Sequence, residues 1–342
     1  MDVVRPDGVG PDVVCLGESM VTFLPSRPGR LADVPSFTRA IGGAESNVAC
    51  ALAAAGHRVR WVGRVGRDGF GDHLVDTIAA YGVDVGAVGR DPHRPTGVYF
   101  RTDGDRATDA HEVVYYRAGS AASAMSPVTV PYDSVAGARI LHLTGITAAL
   151  SADCLALVRD LTAPRPGRPL VSFDVNHRPG LWRDGGAPEV LLGLARRADV
   201  VFVGADEAEG LWGTSDPEAI RAVLAEPAVL VVKRGGEGAV AFERGDVVTP
   251  VPAPRVALVS PVGAGDAFVA GFLSGTLRGL DMTARLRHGH LAAAAVLTVP
   301  GDCAAPPRRE HADRLAALDG AAWGTLHLGP GWTGDDQEVR TP

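Results

Sequence analysis

The sequence predicts an α/β fold, a parallel sheet with helices on both faces. Six short runs point there first: VVCLG (13–17), VRWVG (59–63), ILHL (140–143), LVSFDV (170–175), VVFVG (200–204) and VLVVK (229–233). Each is branched and almost continuously apolar, as strands covered on both sides must be. Ala-rich amphipathic segments of helical length lie between them, and that alternation is the pattern of parallel crossover units. A third observation is where the alternation breaks: GVYFRTDGDRATDAHEVVYYR (97–117) reads as two strands with alternating aromatics around a polar turn.

Taken in order, the first run is followed by strand-like stretches from Met20 to Leu24 and from Pro35 to Arg39. Together with 97–117 these predict a small sheet beside the main one. Helices are expected from Glu45 to Ala55, Gly71 to Tyr81, Ala152 to Leu161, Pro188 to Ala198 and Asp216 to Ala225, with a further one ending near Leu277. One domain is expected over residues 1–320. Beyond it the chain loses periodicity, so 321–342, with Trp323 and Trp332, is expected to be an extended or disordered tail.

Composition narrows the function. At 342 residues with 46% apolar and 21% charged side chains, the chain is long enough for a large core and reads as globular. The 33 basic residues are one lysine, Lys233, and 32 arginines. A P-loop needs Gly-Lys-Ser/Thr, and Lys233 stands between Val232 and Arg234, so that site is excluded. A Ser-x-x-Lys nucleophile is excluded by Leu230, and a protein-kinase catalytic loop by Pro179 after His177-Arg178. The net charge of −7, with no basic run, argues against a nucleic-acid partner. Cys15, Cys50, Cys154 and Cys303 are widely spaced, which suits reduced thiols in a cytoplasmic enzyme and not a zinc site. No stretch has the length to span a membrane and no apolar signal core opens the chain, so no membrane partner is expected.

Two glycine clusters carry the chemistry. Gly263-Ala264-Gly265 stands just ahead of a predicted helix, where small residues expose backbone N–H groups at the positive end of the helix dipole. Asp266 follows in the first turn, a position that also suits a plain helix-stabilising acid. Gly42-Gly43-Ala44-Glu45-Ser46-Asn47 is the second cluster, again glycines before a helix.

In this order the two clusters resemble the signatures of the ribokinase-like (PfkB) family of carbohydrate kinases. Supporting landmarks are Gly17-Glu18, Gly63 to Gly71, Gly82-Val83-Asp84, Thr96-Gly97, Lys233 to Gly238 and Pro300-Gly301-Asp302. The resemblance implies a three-layer α/β/α sandwich with a small β-sheet lid drawn from about 18–40 and 97–117, and homo-oligomers formed through that lid. It implies ATP as co-substrate with Mg²⁺. By the same resemblance Asp266 is the base that takes the proton of the sugar hydroxyl, and the amides of Gly263, Ala264 and Gly265 form the anion hole. Gly42, Gly43, Asn47 and Asp302 belong on the sugar side, while Asn176, Lys233, Gly235, Gly236, Gly238, Gly263 and Gly265 line the nucleotide. Lys233 can also be read as a charge at the end of its strand. Glu207 would organise Mg²⁺ through waters, although Gly204 stands where the family's Asn-x-x-Glu element has its Asn. Ser260 replaces an Asp that commonly helps hold a monovalent cation, which leaves K⁺ dependence open.

The substrate reading rests on two further segments. Tyr115-Tyr116-Arg117 followed by Gly119-Ser120-Ala121-Ala122, and Phe173 to Trp182, look like those of the 2-keto-3-deoxygluconate kinases, whose matching arginines hold a sugar acid. A guanidinium fork grips a carboxylate, which a neutral sugar lacks, so Arg117 and Arg178 are the expected selective residues. Tyr99 and Tyr115 either line the sugar pocket or pack across the hairpin. His177 is expected to be structural, and His288 and His290 non-catalytic. A neutral-sugar kinase, a dinucleotide-dependent oxidoreductase and a non-catalytic sugar sensor are the competing readings. The oxidoreductase fits less well, because Gly263-x-Gly265 lacks a third glycine and lies late in the chain.

Overall fold

A computed structural model describes residues 10–102, 112–245, 247–299, 301 and 304–334. Its main sheet has eight strands, in the spatial order Val248–Val251, Ala239–Glu243, Val229–Lys233, Val200–Gly204, Leu170–Asp174, Ile140–Thr144, Val13–Leu16, Val59–Val62. From Val229–Lys233 onward every pairing is parallel. All six apolar runs named from the sequence are these parallel strands. Alternate side chains divide between two cores: Val13, Cys15 and Ile140 join one, Val14, Leu16 and Leu141 the other. The helices Ala44–Ala54, Ala264–Leu277 and Met282–Leu297 cover the first face, and Ala152–Leu161, Ala187–Ala195 and Ala205–Trp212 the second. Three layers result.

A separate four-stranded sheet has the order Phe37–Gly42, Met20–Pro25, Val98–Arg101, Val113–Tyr116. This is the small sheet expected from 18–40 and 97–117. Phe23 stacks on Phe100 with ring centres 4.7 Å apart, and Phe37 and Tyr116 meet Phe100 edge-on, an aromatic row running across all four strands.

The main sheet ends in an antiparallel pair, Ala239–Glu243 and Val248–Val251, so it is mostly parallel, as the resemblance implies; neither short run is among the six named from the sequence. One feature departs from the sequence reading. The expectation of a loose tail over 321–342 is corrected for the described residues up to 334. Gly320–Gly324 is a helical turn capped by Asp319, His327–Leu328 pairs with Arg255–Val256, and Trp323 and Trp332 are buried. Trp323 Nε1 donates to Pro252 O at 2.8 Å. Two large rings removed from water hold a segment that lacks any helical period. His288 pairs with Asp313 at 3.1 Å and His290 packs edge-on against Phe268, both within helix packing.

Candidate active site

The carboxyl ends of parallel strands form the floor of a site, because there the chain leaves the sheet and polar side chains can face outward. Thr144 pairs in register with Asp174, and Gly204 with Lys233. Lys233 turns inward: its Nζ donates to both carboxylate oxygens of Asp174, at 2.9 Å each. Burial opposes the ammonium, but Asp174, Glu207 and Asp266 outweigh it and hold the lysine pKa above its usual value. A Cβ placed on Gly265 would lie 3.9 Å from that Nζ, so the lysine reaches the glycine turn and is not a solvated strand-end charge.

Gly263 opens the 14-residue helix Ala264–Leu277 at φ 82°, a left-handed conformation suited to glycine. Ala267 is the first amide to bond back, to Gly263 O at 3.0 Å, so the N–H groups before it have no carbonyl a turn behind them. They form a candidate anion site with Asp266 at its edge. Asp266 Oδ2 accepts a hydrogen bond from Asn47 Nδ2 at 2.9 Å, across 219 residues of sequence. Enclosure pushes the Asp266 carboxyl up to about 7, and Asp174 adds to the rise, while Asn47, Lys233 and Arg178 oppose it. Asn47 in turn is set by the helix Ala44–Ala54, whose preceding Gly43 lies so close to Glu18 that a Cβ there would stand 2.3 Å from Glu18 O.

Between this floor and the small sheet lies a cavity of about 750 Å³. Gly42, Gly43, Asn47, Gly263 and Asp266 line its base, and Tyr99, Tyr115 and Arg117 its roof. Tyr99 and Tyr115 are cross-strand partners with ring centres 5.4 Å apart, so the packing reading holds, yet both also face the cavity. Arg117 is not free: its guanidinium donates to Glu18, whose other oxygen accepts from Ser120 Oγ at 3.1 Å. The Glu18 side chain is 1% exposed, and burial raises its pKa although Arg117 counters the rise. Arg178 is exposed and lines the opposite wall together with Arg183.

On the other side of Asp174 the backbone of Asn176 is forced to φ 39°, the one positive φ at a non-glycine among the described residues. Its Oδ1 is buried with no hydrogen-bond partner, so it is free to accept one. Gly235, Gly236 and Gly238 form a tight turn after Lys233, closed by Arg234 N to Gly238 O at 2.8 Å; space around Gly235 and Gly236 is open. Glu207 accepts from Gly204 N at 2.8 Å and from His177 N at 3.0 Å. Each of its oxygens keeps a second lone pair, so a role through ordered waters fits, and so does a plain capping role. No cluster of three or more His, Cys, Asp or Glu side chains arranged for a metal ion occurs among the described residues. Asp302 lies outside the described residues.

The structure therefore brings Asp266, Asn47, Lys233, the glycine turn and Arg178 together, and ties Arg117 to another partner. Sequence reasoning missed three participants. Asp174 lay inside a quoted motif, but its contact with Lys233, two strands away in the sheet, is seen only in the folded side chains. Glu18 was a landmark whose role depends on a lid residue 99 positions away. Arg183 follows the motif by one residue and looks like any surface arginine. Another buried acid, Glu45, supports the floor: Thr144 and Thr147 hydroxyls donate to its Oε1 at 2.7 Å each, and burial lifts its pKa to about 7.

A glycine turn at a helix start, an acid beside it and a cavity roofed by a small sheet fit a small-molecule kinase on a ribokinase-like α/β fold. Residues 11–309 match the pfkB family carbohydrate kinase profile, and the chain belongs to that family. It is 36% identical over 312 residues to the 2-dehydro-3-deoxygluconokinase of Bacillus subtilis (strain 168), spanning 87% of this chain and 93% of that protein. It is also 36% identical over 307 residues to the 2-dehydro-3-deoxygluconokinase of Thermoproteus tenax, spanning 89% and 93%. Among solved structures, a PfkB protein from Polaromonas sp. JS666 superposes with a TM-score of 0.78 at 34% identity, over 90% of this chain and all of that one.

Proposed function

We propose that this carbohydrate kinase transfers the γ-phosphoryl group of ATP to the 6-hydroxyl of 2-keto-3-deoxygluconate, giving 2-keto-3-deoxy-6-phosphogluconate and ADP. The observation that carries the reading is Asp266, bonded to Asn47 at the edge of the glycine-turn anion site and opening on a cavity walled by arginines. In this reading the sugar hydroxyl donates its proton to Asp266, its oxygen bonds to the γ-phosphorus, and the bond to the ADP oxygen breaks. Charge on the transferring group is stabilised by the amides of Gly263, Ala264 and Gly265, with Lys233 beside them. A pKa pushed up to about 7 makes Asp266 a stronger base than an ordinary aspartate while leaving it largely ionised above neutrality.

Gly235, Gly236, Gly238 and Asn176 form the nucleotide side, the unpartnered Oδ1 of Asn176 supporting that assignment. Mg²⁺ supplies charge neutralisation on the β- and γ-phosphates, and Glu207 is the residue whose spare lone pairs suit its waters. Ser260 brings a hydroxyl where a carboxylate would favour a monovalent cation, so no K⁺ site is assigned. The half-exposed aromatic row of the small sheet supports pairing of lids in a homo-oligomer. Three buried, unbridged thiols, Cys15, Cys50 and Cys154, suit a cytoplasmic location.

The competing neutral-sugar reading leaves the cavity's arginines without a ligand. Turnover of ATP across a panel of sugars and sugar acids separates the two: the keto-acid should have the highest kcat/KM, and preference for fructose or ribose would end the substrate assignment.

A further inference from the structure

We propose that the C-terminal segment 320–334, with Trp323 as its anchor, is a positioning element for phosphoryl transfer: it fixes the chain that runs from Pro252 to Gly263, and so sets where the glycine-turn amides stand. The proposal rests on the role given above to those amides. It adds a segment that lies beyond the stretch 11–309 matched by the family profile.

Val251 ends the edge strand of the main sheet, and Gly263 opens the helix Ala264–Leu277. Between them, residues 252–262 hold one regular element, the two-residue strand Arg255–Val256. Val262 and Gly263 already line the cavity, so any displacement of this loop displaces the candidate anion site. Burial does not hold the middle of the loop, because Leu258 and Val259 are 60% and 48% exposed. Its position depends on backbone hydrogen bonds.

Those bonds come from two places. Val259 N and Ser260 N both donate to Leu297 O, at 2.7 and 3.3 Å, where the helix Met282–Leu297 ends. Arg255 N donates to Leu326 O and Ala257 N to Leu328 O, at 2.9 Å each. Among the described residues His327–Leu328 is the only strand partner of Arg255–Val256. Just upstream, Trp323 Nε1 donates to Pro252 O at 2.8 Å and His290 Nε2 to Val251 O at 3.3 Å.

The segment is in turn locked to the same helix. Arg287 donates to Ala316 O at 2.8 Å and to Leu318 O, and its guanidinium lies over the Trp323 ring, 4.8 Å from the centre. Trp323, Leu326 and Leu328 are buried in the core that also takes Phe268 and Phe272 from the helix after Gly263. The helix and the C-terminal segment thus form one support that grips the loop from both ends. Gly42, Asn47 and Arg178, on the sugar side, stand on other elements, so loosening the support should disturb the phosphoryl end and spare the sugar end.

Steady-state kinetics on the full chain, with ATP and the sugar varied in turn, tests this in Trp323→Ala, Leu328→Ala and Trp323→Phe. The two alanine variants should lower kcat by roughly tenfold or more and raise KM for ATP, with KM for the sugar unchanged, since small misplacements of a reacting group far from the mutation are costly. Trp323→Phe keeps a ring in the core and loses the bond to Pro252 O, so its loss should be only about threefold, the scale of one neutral hydrogen bond. Hydrogen exchange should quicken across 252–263 and not in the parallel strands. Variants that lower Tm but keep kcat and both KM values, or that raise both KM values equally, overturn the proposal. If Trp323→Ala does not fold, Trp323→Phe and Leu328→Ala decide on the same criteria. Near-normal turnover in Asp266→Asn would instead overturn the site reading, and hydrogen exchange would still report whether the segment clamps the loop.

Discussion

The floor and the walls of the cavity are built on opposite principles. On the floor, Lys233 pairs with Asp174 and Asn47 with Asp266, each fixed by a strand end or a helix start and at least partly buried. On the walls, Arg178 and Arg183 sit on an exposed turn with no ion-pair partner among the described residues, and Tyr115 is half exposed. Arg117 alone crosses between them, reaching from the small sheet into the buried carboxylate of Glu18. Under the proposed function, the contrast means that groups handling charge in the reaction are pre-positioned at the cost of shifted protonation, whereas groups on the walls keep their charge exposed to a ligand. Preorganisation suits the first task because reorganising dipoles during phosphoryl transfer would raise the barrier.

The largest effect should come from the floor. Asp266→Asn should lower kcat by roughly 10²–10⁴-fold, the range of a lost general base, with nucleotide binding by calorimetry retained. The same variant should be more stable than wild type at pH 8. The folded-state pKa of Asp266 is raised to about 7, so the unfolded chain ionises first and wild-type stability declines as pH climbs from the ordinary carboxyl range to about 7. Asparagine removes that decline, and thermal denaturation at pH 5 and pH 8 measures it. A variant with near-normal turnover would move catalysis away from the floor altogether.

Next comes the residue that joins the two regions. Arg117→Ala leaves Glu18 buried and unpaired and should cost roughly 3 kcal/mol. Removing the guanidinium raises the Glu18 pKa further, so the loss should be small in acid, where Glu18 is neutral in both states, and grow as pH rises. Arg117→Ala combined with Glu18→Gln should recover part of it. Denaturant titrations of the three proteins at two pH values decide whether the pair is structural; a stable single variant with only a raised KM would return Arg117 to the walls.

The smallest effect is a shift. Asn47→Ala removes the hydrogen bond that favours the ionised Asp266, so the acid limb of kcat/KM, expected near pH 7 in the wild type, should move to higher pH. Activity at pH 7 should fall about tenfold, in keeping with the loss of a hydrogen bond to a charged group. A parallel drop at every pH would mean that Asn47 only holds the sugar.

Much of this protein was legible in one dimension because the signals are local. Apolar runs covered on both faces must be nearly continuous in branched residues, so all the parallel strands of the main sheet could be named, and the polar break at 97–117 announced a second sheet. Glycines before a helix marked the candidate anion site, because close approach to backbone amides there requires small side chains. The tail was misjudged for the converse reason: Trp323 and Trp332 are held by distant surfaces and leave no period in their own segment.

The sequence by itself determined the layers, the family and the glycine turn with Asp266, all of which depend on spacing over a few residues. Only the tertiary structure decided which charges are spent and which are free. Lys233 meets Asp174 because two strands align at their carboxyl ends, Asn47 meets Asp266 because two helices converge, and Arg117 meets Glu18 because the small sheet folds over the large one. An arginine reads the same in sequence whether paired or unpaired; its availability to a ligand is a property of what folding brings beside it.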